Sequence, residues 1–100
     1  MTIKTLGVIG AGTMGNGIAQ AAAQAGLEVV MQDIMPEAVE RGLAAIGTSL
    51  DRLIKKEKLD EAGKAAALTR IRGTTDVAAL RDADLVIEAA TERESVKAQV

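Results

Sequence analysis

Histidine, cysteine and all three aromatic residue types are missing from this sequence of 100 residues. Because histidine is the commonest general base near neutral pH, its absence excludes histidine-based acid–base catalysis by this chain alone. The absence of cysteine excludes disulfide bonds and thiolate chemistry and fits a reducing compartment, so we expect a cytoplasmic protein. Without aromatic side chains, the core must be built from aliphatic residues and methionine, and we expect it to be thin.

A strong charge of either sign is missing as well. The formal net charge is −2, and no long basic run is present, so we expect no nucleic-acid partner. The stretch 5–27 has no charged residue but contains six glycines, so we predict neither a signal peptide nor a membrane span and expect no membrane partner. The apolar share of 48% indicates a globular chain, and its length supports one domain.

The alternation of apolar runs and chain breakers predicts strands that alternate with helices. The predicted strands are Ile3–Ile9, Leu27–Gln32, Arg70–Gly73 and Leu85–Ala89. The predicted helices are Met14–Ala25, a long helix from Pro36, Asp60–Thr69, a single turn at Val77–Leu80 and a last helix from Thr91. This order predicts an α/β fold with a Rossmann-type, doubly wound parallel sheet and a helical hairpin between strands 2 and 3.

Local signals refine these predictions. Gly26 is expected to end the first helix in a left-handed conformation, and Asp76 is expected to cap the single turn. We expect the side chains of the fourth strand, Leu85, Val86 and Ile87, to be buried.

The first predicted strand runs directly into a glycine motif with the spacing Gly-x-Gly-x-x-Gly. The predicted cofactor-binding residues in it are Gly10, Ala11, Gly12, Thr13, Met14 and Gly15. The first glycine permits a tight turn, the second lets a diphosphate approach the backbone, and the third lets the helix pack on the strand. Gly17 is expected to extend that close packing. A strand before the motif and a helix after it favour dinucleotide binding over a chance match.

Asp33 stands at the end of the second predicted strand, about 20 positions after the glycine motif, where dinucleotide-binding domains carry an acidic residue. Its carboxylate can accept hydrogen bonds from the adenosine ribose, and it would repel a 2′-phosphate, so the predicted cofactor is NAD and not NADP. Ile34 and Met35 follow, and neither can bind a phosphate as an arginine would. The alternative is that Asp33 is a turn residue before Pro36.

Three stretches of the chain together resemble 3-hydroxyacyl-CoA dehydrogenases of the 3-hydroxybutyryl-CoA type. They are the motif region Gly7–Ala19, the segment Ser49–Leu59 and the segment Asp84–Glu92. Many dehydrogenases share the glycine motif, whereas the helical hairpin and the sequence around Glu88 narrow the choice. The resemblance implies an N-terminal NAD-binding domain over residues 1–100, with the rest of the nucleotide domain and a helical substrate domain absent from this sequence.

The resemblance also implies roles for individual residues. Ser49 and Lys56 match positions that contact coenzyme A in the family, although most such polar residues are simply solvated. Glu92 and Lys97 match positions beside the nicotinamide end of NAD. The chain departs from the family at Arg93, where an asparagine is usual, and this departure weakens the assignment of Lys97 more than that of Glu92.

The implied reaction is NAD-dependent oxidation of a 3-hydroxyacyl-CoA to a 3-oxoacyl-CoA, as in fatty-acid or butanoate metabolism. In the family, a histidine removes the hydroxyl proton and a glutamate orients it, and both would lie beyond Val100. We therefore assign no catalytic residue and no metal site to this chain, expect it to be inactive alone, and expect a homodimer for a whole enzyme. Three alternatives remain: a related dehydrogenase of hydroxyisobutyrate or phosphogluconate, a non-catalytic NAD-binding module, and a domain that binds no ligand.

Overall fold

The computed structural model describes residues 3–89, and every element predicted within that range is present to within one or two residues at each end. The elements are β1 (Thr5–Ile9), α1 (Thr13–Gln24), β2 (Glu28–Gln32), α2 (Pro36–Lys55), α3 (Glu61–Arg70), β3 (Ile71–Thr74), a 3-10 turn (Val77–Leu80) and β4 (Leu85–Glu88). The helix predicted from Thr91 lies outside the described residues.

The four strands form one parallel sheet in the order β3-β2-β1-β4. After β1 the chain moves outward through β2 to β3 and then crosses back, so that β4 lies on the other side of β1. β2 and β4 thus leave β1 in opposite directions, which is the switch point at which open parallel sheets bind ligands. The predicted Rossmann-type topology is confirmed for these four strands.

The core lies between one face of the sheet and the three α-helices. Its fully buried larger side chains are Val8, Val29, Met31, Ile46 and Leu50. Helix α1 presents small buried side chains, such as those of Ala19 and Ala23, so it lies close to the sheet. This close approach leaves no wide gap that an aromatic side chain would have to fill. The core is therefore aliphatic, as predicted.

Local signals set several element ends: the predictions for Gly26 and Asp76 are confirmed, and Asp60, predicted as the first helical residue, is the N-cap instead. Gly26 has a φ of 101° after α1, and proline occupies the first turn of α2. The side chain of Asp60 accepts a hydrogen bond from the Gly63 N–H at the start of α3, and that of Asp76 accepts one from the Ala78 N–H at the 3-10 turn. Each cap satisfies a backbone group that the following helix leaves without a partner.

The prediction that the β4 side chains are buried is wrong for two of them. Leu85 and Val86 are 44% and 42% exposed, and Ile87 is partly buried against the core. β4 pairs with β1 on one side, so in the described sheet it is an edge strand, and no helix within residues 3–89 packs broadly on it. An apolar run predicts a strand, but it does not show whether neighbouring elements cover both of its faces.

Within residues 3–89, no helix is both long enough and apolar enough to cross a bilayer. The same residues contain no group of three or more acidic side chains placed to hold a metal ion.

Asp84 joins the starts of β1 and β4. Its Oδ2 atom accepts hydrogen bonds from the backbone N–H groups of Lys4 at 2.8 Å and Thr5 at 3.0 Å. The Asp84 N–H donates in return to the carbonyl of Thr5 at 2.9 Å. The hydrogen bond from the Lys4 N–H, and to a lesser extent that from the Thr5 N–H, lowers the pKa of the Asp84 carboxyl below its ordinary value of 3.8.

We expect Asp84→Asn to lower the free energy of unfolding at neutral pH, because the amide is a weaker acceptor than the carboxylate for two N–H groups. The pKa of Asp84 is lower in the folded chain than in the unfolded one. Its stabilising contribution is therefore complete above the unfolded pKa and is lost as the pH falls through the folded pKa. Urea unfolding at pH 7 and below pH 4 checks this: the difference between the two proteins should shrink in acid.

Asp82→Asn is the matched control, since Asp82 is exposed and its side chain has no hydrogen-bond partner among the described residues. It should unfold like the native chain at both pH values. An Asp84→Asn effect that is the same at both pH values would contradict the role of the carboxylate.

Candidate dinucleotide-binding site

The glycine motif forms the turn between β1 and α1, and its first and third glycines have the predicted tasks. Gly10 has a φ of 104°, and its N–H donates to the carbonyl of Gln32 on β2 at 2.6 Å. A Cβ atom at Gly15 would overlap the carbonyl oxygen of Gly10, so α1 can pack against the turn because this side chain is missing. The turn is thus held by β2 on one side and by α1 on the other.

The N-terminus of α1 is open. Gly12 is its N-cap residue and gives no side-chain cap, and the first turn contains no acidic residue. The first N–H groups of a helix have no acceptor within the helix, and the helix dipole favours an anion at this end. Thr13 and Met14, which occupy the first turn, are exposed. The predicted binding residues therefore surround a backbone surface suited to a phosphate group.

The expectation that Gly17 extends the close packing is wrong. No atom lies within 4 Å of the place that a Gly17 Cβ would occupy, and the residue is exposed. Gly17 lies two positions after Gly15, which is more than half a turn around the helix, so it faces solvent when Gly15 faces the strand.

Asp33 is buried behind the glycine turn, where it was expected at the end of β2. Its Oδ2 atom accepts a hydrogen bond from the N–H of Ala11 at 2.9 Å, and its Oδ1 atom accepts one from the N–H of Met35 at 3.1 Å. The carboxylate thus fixes the glycine turn from the end of β2.

Sequence reasoning missed this bond between Asp33 and Ala11. The two residues are 22 positions apart, and the parallel register that pairs Ile9 with Gln32 brings them together. The usual spacing between a glycine motif and an acidic residue predicts a shared ligand, and it does not predict direct contact.

Helix α2 forms a second wall beside the turn. A cleft of about 250 Å³ lies between them, and its lining residues are Ala11, Gly12, Thr13, Asn16, Ala38, Arg41, Gly42 and Ala45. A Cβ atom at Gly42 would be 2.8 Å from the carbonyl oxygen of Ala11, so the missing side chain lets α2 approach the turn. Arg41 and Gly42 carry no local sequence signal for this role, because nothing local in a helix shows which residue will face a distant loop.

The two residues assigned to coenzyme A lie farther along α2. Ser49 is partly buried, whereas Lys56 is exposed and is the C-cap residue of the helix. Neither lines the cleft beside the glycine turn. An ion pair of 2.6 Å between Lys64 on α3 and Asp51 on α2 links the two helices of the hairpin, and the hydrogen bond to Asp51 raises the pKa of the Lys64 ammonium group.

A larger open depression, of about 720 Å³, lies at the tip of the hairpin and is separate from the glycine turn. Its lining includes the acidic residues Glu57, Asp60 and Glu61 with one lysine, Lys58. Three carboxylates against one ammonium group disfavour a phosphate there, so its size does not make it the candidate site.

The carboxyl end of β4 adjoins that of β1. The N–H of Ala89 donates to the carbonyl of Ile9 at 2.8 Å, and Ala89 is buried. The predicted nicotinamide contacts, Glu92 and Lys97, lie outside the described residues.

These features fit the diphosphate and the adenosine ribose of an adenine dinucleotide. The open helix terminus behind a residue without a side chain suits the diphosphate, and the carboxylate of Asp33 suits the ribose. A cation would be repelled here, because the N–H groups at the start of α1 are hydrogen-bond donors with partial positive charge. A parallel sheet with this turn and this carboxylate defines a dinucleotide-binding domain of the dehydrogenase class.

Comparison with known proteins narrows that class. The family described as the NAD-binding domain of 3-hydroxyacyl-CoA dehydrogenase matches residues 5–100. The chain belongs to this family, and the cofactor of the family is NAD.

Named relatives agree with this assignment. A 3-hydroxybutyryl-CoA dehydrogenase of Bradyrhizobium diazoefficiens is 46% identical over 98% of the chain. The crystal structure of (S)-3-hydroxybutyryl-CoA dehydrogenase from Ralstonia eutropha superposes on 96% of the chain with a TM-score of 0.89 and a sequence identity of 60%. The crystal structure of 3-hydroxybutyryl-CoA dehydrogenase from Escherichia coli superposes on 97% of the chain with a TM-score of 0.88 and a sequence identity of 43%. The chain spans about a third of the first two proteins, 33% and 34%, and 21% of the third.

Proposed function

We propose that this chain is the NAD-binding part of a dehydrogenase that oxidises 3-hydroxyacyl-CoA, with 3-hydroxybutyryl-CoA as the favoured substrate, to 3-oxoacyl-CoA. The observation that carries the proposal is the glycine turn held by the buried carboxylate of Asp33 through the N–H of Ala11. The names of the relatives support the substrate class. Fatty-acid or butanoate metabolism would supply such a substrate.

The described residues bind and orient the cofactor in this proposal. The open N–H groups at the start of α1 hold the diphosphate, and Asp33 accepts hydrogen bonds from the adenosine ribose. The carboxylate also repels a 2′-phosphate, and the adjacent Ile34 side chain, which is 81% exposed, offers no compensating charge. NAD supplies the hydride acceptor when bound. Because the chain has no histidine, a histidine that takes the hydroxyl proton must come from outside these 100 residues.

Coenzyme A contact by Ser49 and Lys56 is part of the same proposal. Lys56 is exposed at the end of α2, where an ammonium group can reach a phosphate, and Ser49 lies two helical turns earlier. Glu92 and Lys97 are proposed to lie beside the nicotinamide. A cytoplasmic location and a homodimeric whole enzyme stay predictions.

A non-catalytic NAD-binding module is the second candidate. The observation that favours it is the absence of histidine from a chain whose nucleotide site is otherwise well formed. Both candidates require NAD binding, and turnover distinguishes them.

The deciding experiment has two stages. NAD and then NADP are titrated into the chain by calorimetry, and the whole protein that carries this chain is assayed for oxidation of NADH by acetoacetyl-CoA. We expect binding of NAD, much weaker binding of NADP, and turnover with NADH. Binding of NAD without turnover in the whole protein favours the non-catalytic module, and a folded chain that binds neither nucleotide refutes both candidates.

A further inference from the structure

A single cation faces the glycine turn from the neighbouring helix. Among the described residues that line the 250 Å³ cleft, Arg41 is the one charged side chain. The opposite wall is the turn itself, Gly12 and Thr13, where the open N–H groups of α1 begin. No carboxylate among the lining residues offsets this charge. An arginine and a helix N-terminus therefore border the same small space, and both favour an anion.

The backbone of α2 is held against the turn at the residue next to Arg41. Gly42 is buried, and a Cβ atom there would be 2.8 Å from the carbonyl oxygen of Ala11 and 3.0 Å from the methyl carbon of Met31. The Cα atom of Arg41 is thus placed by a contact between backbones. Close backbone contacts fix where a side chain begins, so the Arg41 side chain starts from the wall of the cleft.

Within residues 3–89, Arg41 has no ion-pair or hydrogen-bond partner. Glu37 lies one helical turn before it, in a position suited to an ion pair, and the two side chains do not pair. By contrast, Arg70 donates to the carbonyl of Ala23 at 2.8 Å, and Lys64 pairs with Asp51. A cation close to a helix N-terminus is unfavourable unless an anion lies between them.

We propose that Arg41 is a further dinucleotide-binding residue, whose guanidinium group donates to the diphosphate of NAD from the α2 side of the glycine turn. The inference rests on the proposed function, because it needs NAD at the turn. Helix α1 then contributes backbone N–H groups to one side of the diphosphate, and α2 contributes a planar, permanently charged donor to the other.

The test measures the dissociation constants of NAD, ADP-ribose, adenosine and coenzyme A for the native chain, Arg41→Ala and Arg41→Lys. Because a charged hydrogen bond is lost, Arg41→Ala should weaken NAD and ADP-ribose equally, by about tenfold, and leave adenosine unchanged. Arg41→Lys keeps the charge without the planar fork, and it should weaken both by about threefold. Arg81→Ala, an exposed arginine outside the cleft, is the matched control and should bind like the native chain.

Four results would contradict the role proposed for Arg41. If the native chain binds NAD and Arg41→Ala binds it equally well, the role of Arg41 is refuted and the proposed function stands. If the variant weakens adenosine as much as NAD, the substitution acts by displacing α2, and the diphosphate contact is refuted. An effect on coenzyme A binding with none on NAD assigns the cation to another phosphate and also refutes the inference. If the native chain itself does not bind NAD, the proposed function fails and the inference fails with it.

Discussion

Asp33→Ala is expected to weaken NAD binding about a hundredfold. In the proposed function the carboxylate accepts hydrogen bonds from the ribose, and in the structure it holds the N–H of Ala11 in the glycine turn at 2.9 Å. Hydrogen bonds to a charged group contribute roughly 1.5–3 kcal/mol each, so losing both the ribose contact and the order of the turn costs about 3 kcal/mol. Calorimetric titration of the variant with NAD measures the loss directly.

Asp33→Asn separates the two tasks of this side chain. Its amide oxygen can still accept from the Ala11 N–H, whereas its NH2 group cannot accept from the Met35 N–H, and the charge that repels a 2′-phosphate is gone. We therefore expect the ratio of NADP to NAD dissociation constants to fall, and the melting temperature to fall by the loss of one hydrogen bond. Adding Ile34→Arg places a cation beside the ribose, where the present side chain is 81% exposed, and should turn the preference toward NADP.

Asp82→Ala removes an exposed carboxylate away from the site and is the matched control; it should bind NAD like the native chain. A folded Asp33→Ala variant with native affinity for NAD would show that Asp33 is the turn residue considered as its alternative role.

The second large effect is expected at Gly15. An alanine there would overlap the carbonyl oxygen of Gly10, and that atom belongs to the turn and cannot move aside as a flexible side chain could. We expect Gly15→Ala to lower the free energy of unfolding by roughly 3 kcal/mol, the upper part of the range for overpacking. For a domain with only about 5 kcal/mol of stability, that is a large share.

Gly17→Ala is a control within the same helix. No atom lies within 4 Å of its Cβ position, and alanine is the better helix former. We therefore expect it to raise the free energy of unfolding by roughly 0.5–1 kcal/mol. Urea unfolding of both variants checks the pair. A similar change in both proteins would refute the assignment of close packing to Gly15.

Local chemistry explains why much of the fold could be predicted. The cap at Asp76 and the left-handed Gly26 act within four residues of their own positions, so short patterns are enough to find them. The glycine motif and Asp33 could be predicted for the same reason, since a tight turn and a strand end each have a local pattern.

The contacts across the molecule could not be predicted in this way. The sequence contains Gly15 and Gly17 in nearly the same setting, yet one is pressed against the turn and the other faces solvent. Leu85 and Val86 were expected to be buried and are exposed, because burial depends on what neighbouring elements cover. The approach of α2 to Ala11 depends on how a long helix crosses the sheet.

The sequence by itself determined the order of strands and helices, the ends of those elements, and the pair of features, a glycine turn and an acidic residue, that indicates NAD. Tertiary structure alone decided that Asp33 holds the turn through Ala11, and that Arg41 borders the cleft. The physical reason is the distance along the chain over which each kind of interaction acts. Helix caps and turns depend on residues a few positions apart, whereas strand register and helix packing bring together residues whose separation in the chain carries no local signal.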